Sequence, residues 1–214
     1  MSALTITKFG HSCLLIEQEG VRILTDPGMF SAIPAELADL DGIILTHEHP
    51  DHTHPETLHG LVVRQSTVKI LTNRAVGEIL AKEELTYEVC EAGQQAQVGS
   101  LTVEAFGRLH QSIVPDLAAV ANTGYLIGGR VFTPGDAFTN PDRPVEILAL
   151  PICAPWSKFS ETLAYVVKIK PKIVIPIHDG FLIPHNPFQS WIERSLPPKG
   201  IIVKTLELGV ATAV

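Results

Sequence analysis

The chain has 214 residues, 45% hydrophobic and 18% charged, with a formal net charge of −7. That apolar content excludes a disordered chain, yet no uninterrupted apolar stretch reaches the roughly 20 residues a membrane helix needs. An acidic balance without a basic stripe argues against nucleic acid as a partner, and three scattered cysteines (Cys13, Cys90 and Cys153) make no disulfide framework, so a reducing, cytoplasmic setting is expected.

The N-terminal eleven residues alternate apolar and polar and include Lys8, which suits a first strand better than a signal peptide. Residues 4–9, 13–17 and 21–25 are predicted as a meander turning at Gly10 and Gly20, and 42–46 as a short strand covered on both faces. After another apolar run at 68–72, Asn73 is the expected N-cap of a helix over 73–84. Strands are predicted at 101–106, 123–127, 130–133 and 145–150, with Gly128-Gly129 as a hairpin turn. A helix over 160–169 ends before Pro171, and 173–177 forms an apolar strand. A last helix (188–195) and strand (201–206) complete a single α/β domain over 1–214, whose two halves both run from strands toward helices.

The nine histidines are unevenly spread: His47, His49, His52, His54 and His59 fall within thirteen residues. The run Thr46-His47-Glu48-His49-Pro50-Asp51-His52 begins where the strand 42–46 ends, and ligands gather at the C-terminal ends of strands in α/β sheets. Imidazole and carboxylate are ligands of zinc and related divalent ions. This spacing puts two nitrogens on one centre and offers a carboxylate and a third nitrogen toward a second. Thr53 and Glu56 fit a capping box opening a short helix that carries His54 and His59. Further candidate ligands lie past three later strands: His110, Asp136 in Thr133-Pro-Gly-Asp136, and His178 in Ile173-Val-Ile-Pro-Ile-His178.

The ordered series HxHxDH, His, Gly-Asp, His resembles the metallo-β-lactamase fold superfamily across essentially the whole chain. That resemblance implies an αβ/βα four-layer sandwich with a dinuclear site at one edge, between two sheets. It implies His47, His49 and His110 on a first metal, Asp51, His52 and His178 on a second, and Asp136 bridging both. Asp51 and Asp136 are then the carboxylates engaged in catalysis. The sequence departs from many members after the first motif, where Thr53-His54-Pro55-Glu56 replaces a Gly-Gly or Gly-Leu pair. Phe9-Gly-His11-Ser-Cys-Leu-Leu-Ile-Glu17, Thr25-Asp26-Pro27, Asn122-Thr-Gly-Tyr-Leu-Ile127 and Pro176-Ile-His178 are similar to the UlaG-like branch of metal-dependent hydrolases.

The resemblance implies two divalent ions, zinc first and manganese second, that activate a bridging water against a small ester, lactone, amide or phosphodiester. No serine or cysteine nucleophile is then required, and the Gly10-His-Ser12 turn lacks the second glycine of a nucleophile elbow. His11 and Asp26 are candidates for positions beside the metals, Asp26 by orienting a ligand imidazole; His185 is a candidate substrate contact. Phe138, Trp156 and Phe181 are candidates for lining the pocket, and loops 29–38, 111–119 and 156–160 for setting specificity. The apolar fraction leaves room for a homo-oligomer interface. The competing classes on the same scaffold are an RNA-processing nuclease, a mononuclear-iron oxidoreductase and a non-catalytic metal-binding protein.

Overall fold

Strands form where apolar side chains must be covered on both faces, and helices where the apolar positions make a single stripe. In the computed structural model, which describes residues 3–183 and 186–214, the chain opens with an antiparallel meander. It consists of β1 (Leu4–Gly10), β2 (Cys13–Gln18) and β3 (Val21–Thr25). Parallel strands follow: β4 (Gly42–Ile44), β5 (Lys69–Thr72) after helix α1 (Pro55–Arg64), and β6 (Glu88–Val89) after α2 (Arg74–Lys82).

The second half repeats the plan. Antiparallel strands β7 (Gln95–Val98), β8 (Leu101–Phe106), β9 (Gly124–Ile127) and β10 (Val131–Thr133) precede the parallel β11 (Ile147–Pro151), β12 (Ile173–Ile177) and β13 (Ile202–Val203). Helices α3 (Phe159–Ile169) and α4 (Pro187–Ser195) lie between the last three. A final strand, β14 (Thr212–Ala213), returns to pair with β1. Two seven-stranded sheets result, ordered β14-β1-β2-β3-β4-β5-β6 and β13-β12-β11-β10-β9-β8-β7.

Three apolar clusters fix the layering. Ile6, Ile16, Ile23 and Ile44 of the first sheet meet Val103, Ile127, Ile147 and Ile175 of the second. On the outer face of the first sheet, Leu24, Ile43 and Ile70 pack against Leu58 and Leu61 of α1 and Val76 and Leu80 of α2. On the far side, Leu148, Leu150 and Val174 pack against Val166 of α3 and Ile192 of α4. Adjacent residues such as Ile43 and Ile44 therefore point into different cores, each completely buried, and each such burial contributes about 1.5–3 kcal/mol. The order is helices, sheet, sheet, helices: the expected αβ/βα sandwich.

The differences from the sequence reading are local. Asn73 caps α2 as expected, its side chain accepting from the Val76 amide. The capping box at Thr53 does not form. His54 occupies the N-cap of α1, and the Thr53 hydroxyl donates instead to the His47 carbonyl at 2.7 Å, which clamps the ligand loop. The strand expected over 201–206 pairs only at Ile202–Val203, and β6, β7 and β14 were not anticipated.

Candidate metal centre

Five of the chain's ligand-type side chains leave the ends of strands toward the same edge. His11 follows β1, Asp26 follows β3, His47 comes three residues after β4, Asp136 three after β10, and His178 directly follows β12. The two sheets are tied together here: Thr123 donates its amide to the Thr46 carbonyl at 2.9 Å, and His47 forms an isolated bridge with Asn122. His11, Asp26 and His178 have positive φ (42°, 43° and 58°), a region non-glycine residues seldom adopt. Such strain concentrates where side chains must be aimed.

Two glycines allow the close packing. A Cβ on Gly28 would lie 1.9 Å from the Asp51 carbonyl oxygen, so only glycine lets this loop press against the Asp51 turn. Gly135, at φ +61°, would press a Cβ onto Asn122 Oδ1 at 2.2 Å. Asn122 needs that proximity, because it donates to the Pro134 carbonyl at 2.9 Å and accepts the Asp136 amide at 3.0 Å, holding the turn that presents Asp136.

All seven predicted ligands converge. His47, His49 and His110 place one ligand atom each within 4.8 Å of one another; Asp51, His52 and His178 do so with His11, and His47, His52 and Asp136 connect the two groups. Asp136 lies between: its Oδ1 is 3.3 Å from His52 Nε2, and its Oδ2 is 3.3 Å from His110 Nε2 and 3.0 Å from His178 Nε2. Asp51 Oδ2 is 3.6 Å from His178 Nε2 and 3.8 Å from His52 Nε2.

Hydrogen bonds behind the rings determine which nitrogen faces inward. His52 Nδ1 donates to Asp26 Oδ2 at 2.9 Å, His178 Nδ1 to the Cys153 carbonyl at 2.6 Å, and His110 Nδ1 to the Gln111 carbonyl. His47 Nδ1 donates to the Thr46 hydroxyl at 3.1 Å, which passes its own proton to Asp26 at 2.9 Å. Each Nε2 is thereby turned toward the cluster. Among the described residues, His52 Nε2, His110 Nε2, His178 Nε2 and Asp136 Oδ1 are buried polar atoms with no hydrogen-bond partner. Burying such atoms unsatisfied is costly, and their convergence marks a place built for a cation. His47 Nε2 and His49 Nδ1 face each other at 3.1 Å, close to the about 3.3 Å separating two nitrogens of a tetrahedral zinc site. The residues therefore fit a metal.

His11 is different. Its Nδ1 accepts the Gly180 amide at 3.1 Å, so a neutral ring carries its proton on Nε2, 3.0 Å from Asp51 Oδ2. His11 thus offers the cluster a proton where its neighbours offer lone pairs, and it holds Asp51 in place. Asp26, expected beside the metals, is fully buried and orients both His52 and Thr46. His54 and His59 stay on α1, away from the cluster; His59 lies 3.5 Å from Glu83. His185 lies outside the described residues.

Electrostatics follow from this packing. Burial and the nearby His52 hold His47 well below the usual imidazole value. At His52 burial also opposes charge, but Asp136 and Asp26 outweigh it and raise the ring well above its ordinary value. Burial would lift the Asp136 carboxyl, yet His52, His110 and His178 overcome it and keep the group ionised. Asp51, likewise lifted by burial, is pulled by His11, His52 and His178 down to about 2.

Trp156, a candidate pocket aromatic, has a more specific role. Its indole Nε1 donates to Asp136 Oδ2 at 2.7 Å, and its ring packs edge-on to Phe138. Outer partners of this kind typically change metal affinity or activity by roughly 10–100-fold. Trp156→Phe, which removes the donor and keeps the ring, is expected to lower metal affinity by that factor. A chelator-competition titration checks it; unchanged affinity would make Trp156 a packing residue only.

Fold and site together define a protein of the αβ/βα sandwich class with a His/Asp cluster capable of binding metal. The chain matches the Beta-lactamase superfamily domain over residues 5–178 and belongs to that family. It is 34% identical over 184 residues to Protein Rv0786c of Mycobacterium tuberculosis, covering 84% of this chain and 85% of that protein. It is 25% identical over 227 residues to a UPF0173 metal-dependent hydrolase of Pyrobaculum neutrophilum (92% and 95% covered). Among solved structures it is similar to Igni18, described as a novel metallo hydrolase from Ignicoccus hospitalis. That match has a TM-score of 0.79 and 21% identity, with 100% and 99% of the chains covered. It is also similar to the metallo-beta-lactamase fold protein YhfI of Bacillus subtilis, with TM-score 0.71, 17% identity and both chains fully covered.

Proposed function

We propose that this metal-dependent hydrolase works through a dinuclear centre on a small-molecule ester, lactone, amide or phosphodiester. His47, His49 and His110 would hold one ion, Asp51, His52 and His178 the other, and Asp136 both. Five imidazoles and two carboxylates without a thiolate suit zinc first and manganese second. When bound, such ions supply Lewis acidity and bring the pKa of a shared water from about 15.7 toward about 7.

The chain's own residues do the rest. Asp136 reaches both groups of histidines, with Oδ2 near His110 and His178 and Oδ1 near His52, and Trp156 and Asn122 keep it there. Asp26 fixes the tautomer of His52, and His11 holds Asp51 through its Nε2 proton. The observation carrying this reading is the convergence of four buried, unpartnered ligand-type atoms on one space.

The test is a panel of small esters, lactones, amides and phosphodiesters offered to zinc- or manganese-loaded protein. Turnover of at least one class is expected, abolished by chelator and restored by metal. Activity that survives complete chelation, or no turnover by fully loaded protein, would refute the proposal.

A further inference from the structure

Exposed apolar side chains are concentrated around the cluster. Of the fourteen large hydrophobic residues exposed among the described residues, eight lie on loops 26–41, 107–123 and 178–183. Each of these loops carries or adjoins residues of the cluster. Small exposed apolar groups are ordinary when scattered, but a concentration around a polar site marks a ligand surface.

Two lips are formed. On one side Phe30 and Phe181, 41% and 51% exposed, meet edge to face at 5.2 Å. The Phe181 ring lies 4.9 Å from that of His11 and 5.5 Å from that of His178. On the other side Ile113 and Leu117 line a small cavity of about 30 Å³ together with His49 and His110. The candidate ligands are thus bracketed by apolar surface at both groups of histidines.

The same rim is poor in positive charge: exposed Lys158, at the N-cap of α3, is the one cation of loop 156–160. Segments 27–38, 109–122, 153–157 and 179–183 contain no lysine or arginine. Lys8 is buried, its Nζ on Asp179 at 2.6 Å and on the Pro176 carbonyl at 2.9 Å, and Arg108 lines a separate cleft with Asn73 and Glu91. A phosphate or carboxylate on a substrate is normally met by such cations, so an anionic substrate would find none along these segments.

We infer that the substrate is an uncharged carboxylic ester, lactones included, whose apolar arm lies between the two lips. The assignment rests on the hydrolytic reading above. In the reaction the oxygen of one water adds to the carbonyl carbon and the carbon–alkoxy bond breaks. The leaving alcohol takes one proton, and the other is released as the acid ionises.

The experiment compares kcat/KM of metal-loaded protein on p-nitrophenyl acetate, butyrate and octanoate, on the anionic p-nitrophenyl succinate, and on bis(p-nitrophenyl) phosphate. A rise approaching fourfold for each methylene that becomes buried is expected, with succinate and the phosphodiester slower than butyrate. Leu117→Asp and Phe181→Asp should flatten the chain-length series. A flat or falling series in the wild type, or a preference for either anion, would overturn the assignment while leaving the hydrolase intact. A flat series accompanied by sedimentation with neutral phosphatidylcholine vesicles would overturn it by assigning the lips to a lipid surface. No turnover of any substrate would instead count against the hydrolytic reading itself, and the assignment would fall with it.

Discussion

Asp136→Ala is expected to reduce kcat/KM by more than about a hundredfold, since even residues one step removed from a metal cost 10–100-fold. Among the described residues, Asp136 lies within 3.3 Å of His52, His110 and His178 at once. On the proposed dinuclear reading, the two histidine groups would then share no ligand. Bound metal should fall below two ions per chain, measured by plasma mass spectrometry. Asp136→Asn separates charge from shape: the amide oxygen can still accept from Trp156, but one anionic ligand is gone. The asparagine variant should therefore share most of the loss in activity although the shape at Trp156 is kept. If either variant retained wild-type activity and metal content, Asp136 would not be a shared ligand.

The second large effect is expected at Asp26→Asn. This fully buried carboxylate accepts from the Thr46 amide at 2.8 Å, the Thr46 hydroxyl at 2.9 Å and His52 Nδ1 at 2.9 Å. Asparagine tolerates the positive φ at this position, so the substitution tests the hydrogen bonds rather than the backbone. Its amide nitrogen must face at least one donor, which leaves a buried donor unsatisfied beside an uncompensated His52. Breaking one partner of a buried charged pair costs roughly 3–5 kcal/mol, equivalent to a fall of roughly 10 °C in melting temperature for a chain of this size. Metal affinity should fall by roughly 10–100-fold, because the His52 tautomer is no longer imposed. Differential scanning calorimetry with and without metal reads both effects. An unchanged affinity would mean that Asp26 is a turn carboxylate with no bearing on the cluster.

The fold was legible wherever apolar residues recur densely. Ile43, Ile44 and Leu45 betray a strand covered on both sides, and Val76, Ile79 and Leu80 behind Asn73 betray α2. Strands that persist through pairing rather than composition were not legible: Glu88–Val89 and Thr212–Ala213 are two residues long and are held by β5 and β1. In β7 only Ala96 and Val98 turn inward, alternating with the exposed Gln95 and Gln97, too short an alternation to read alone.

The candidate ligands were legible because His47, Asp136 and His178 stand directly at or just beyond strand ends, and His49, Asp51 and His52 follow His47 in one run. Their supporting hydrogen bonds were not, because the partners are remote in sequence. His11 owes its tautomer to Gly180, and Trp156 finds Asp136 across twenty residues. Asn122 stands in the sequence only as part of a motif, and its hold on the Asp136 turn is visible only in the fold. Thr-x-x-Glu at Thr53 favours a cap in isolation, whereas here the loop uses the hydroxyl to close on His47.

The most direct test is diffraction from metal-soaked crystals at the absorption edge of zinc. Two anomalous peaks about 3.5–4 Å apart are expected. One should lie against His47, His49 and His110, the other against Asp51, His52 and His178, with Asp136 between them and His11 outside both coordination spheres. A single ion, ions remote from Asp136, or His11 bound as a ligand through Nε2 would contradict this expectation.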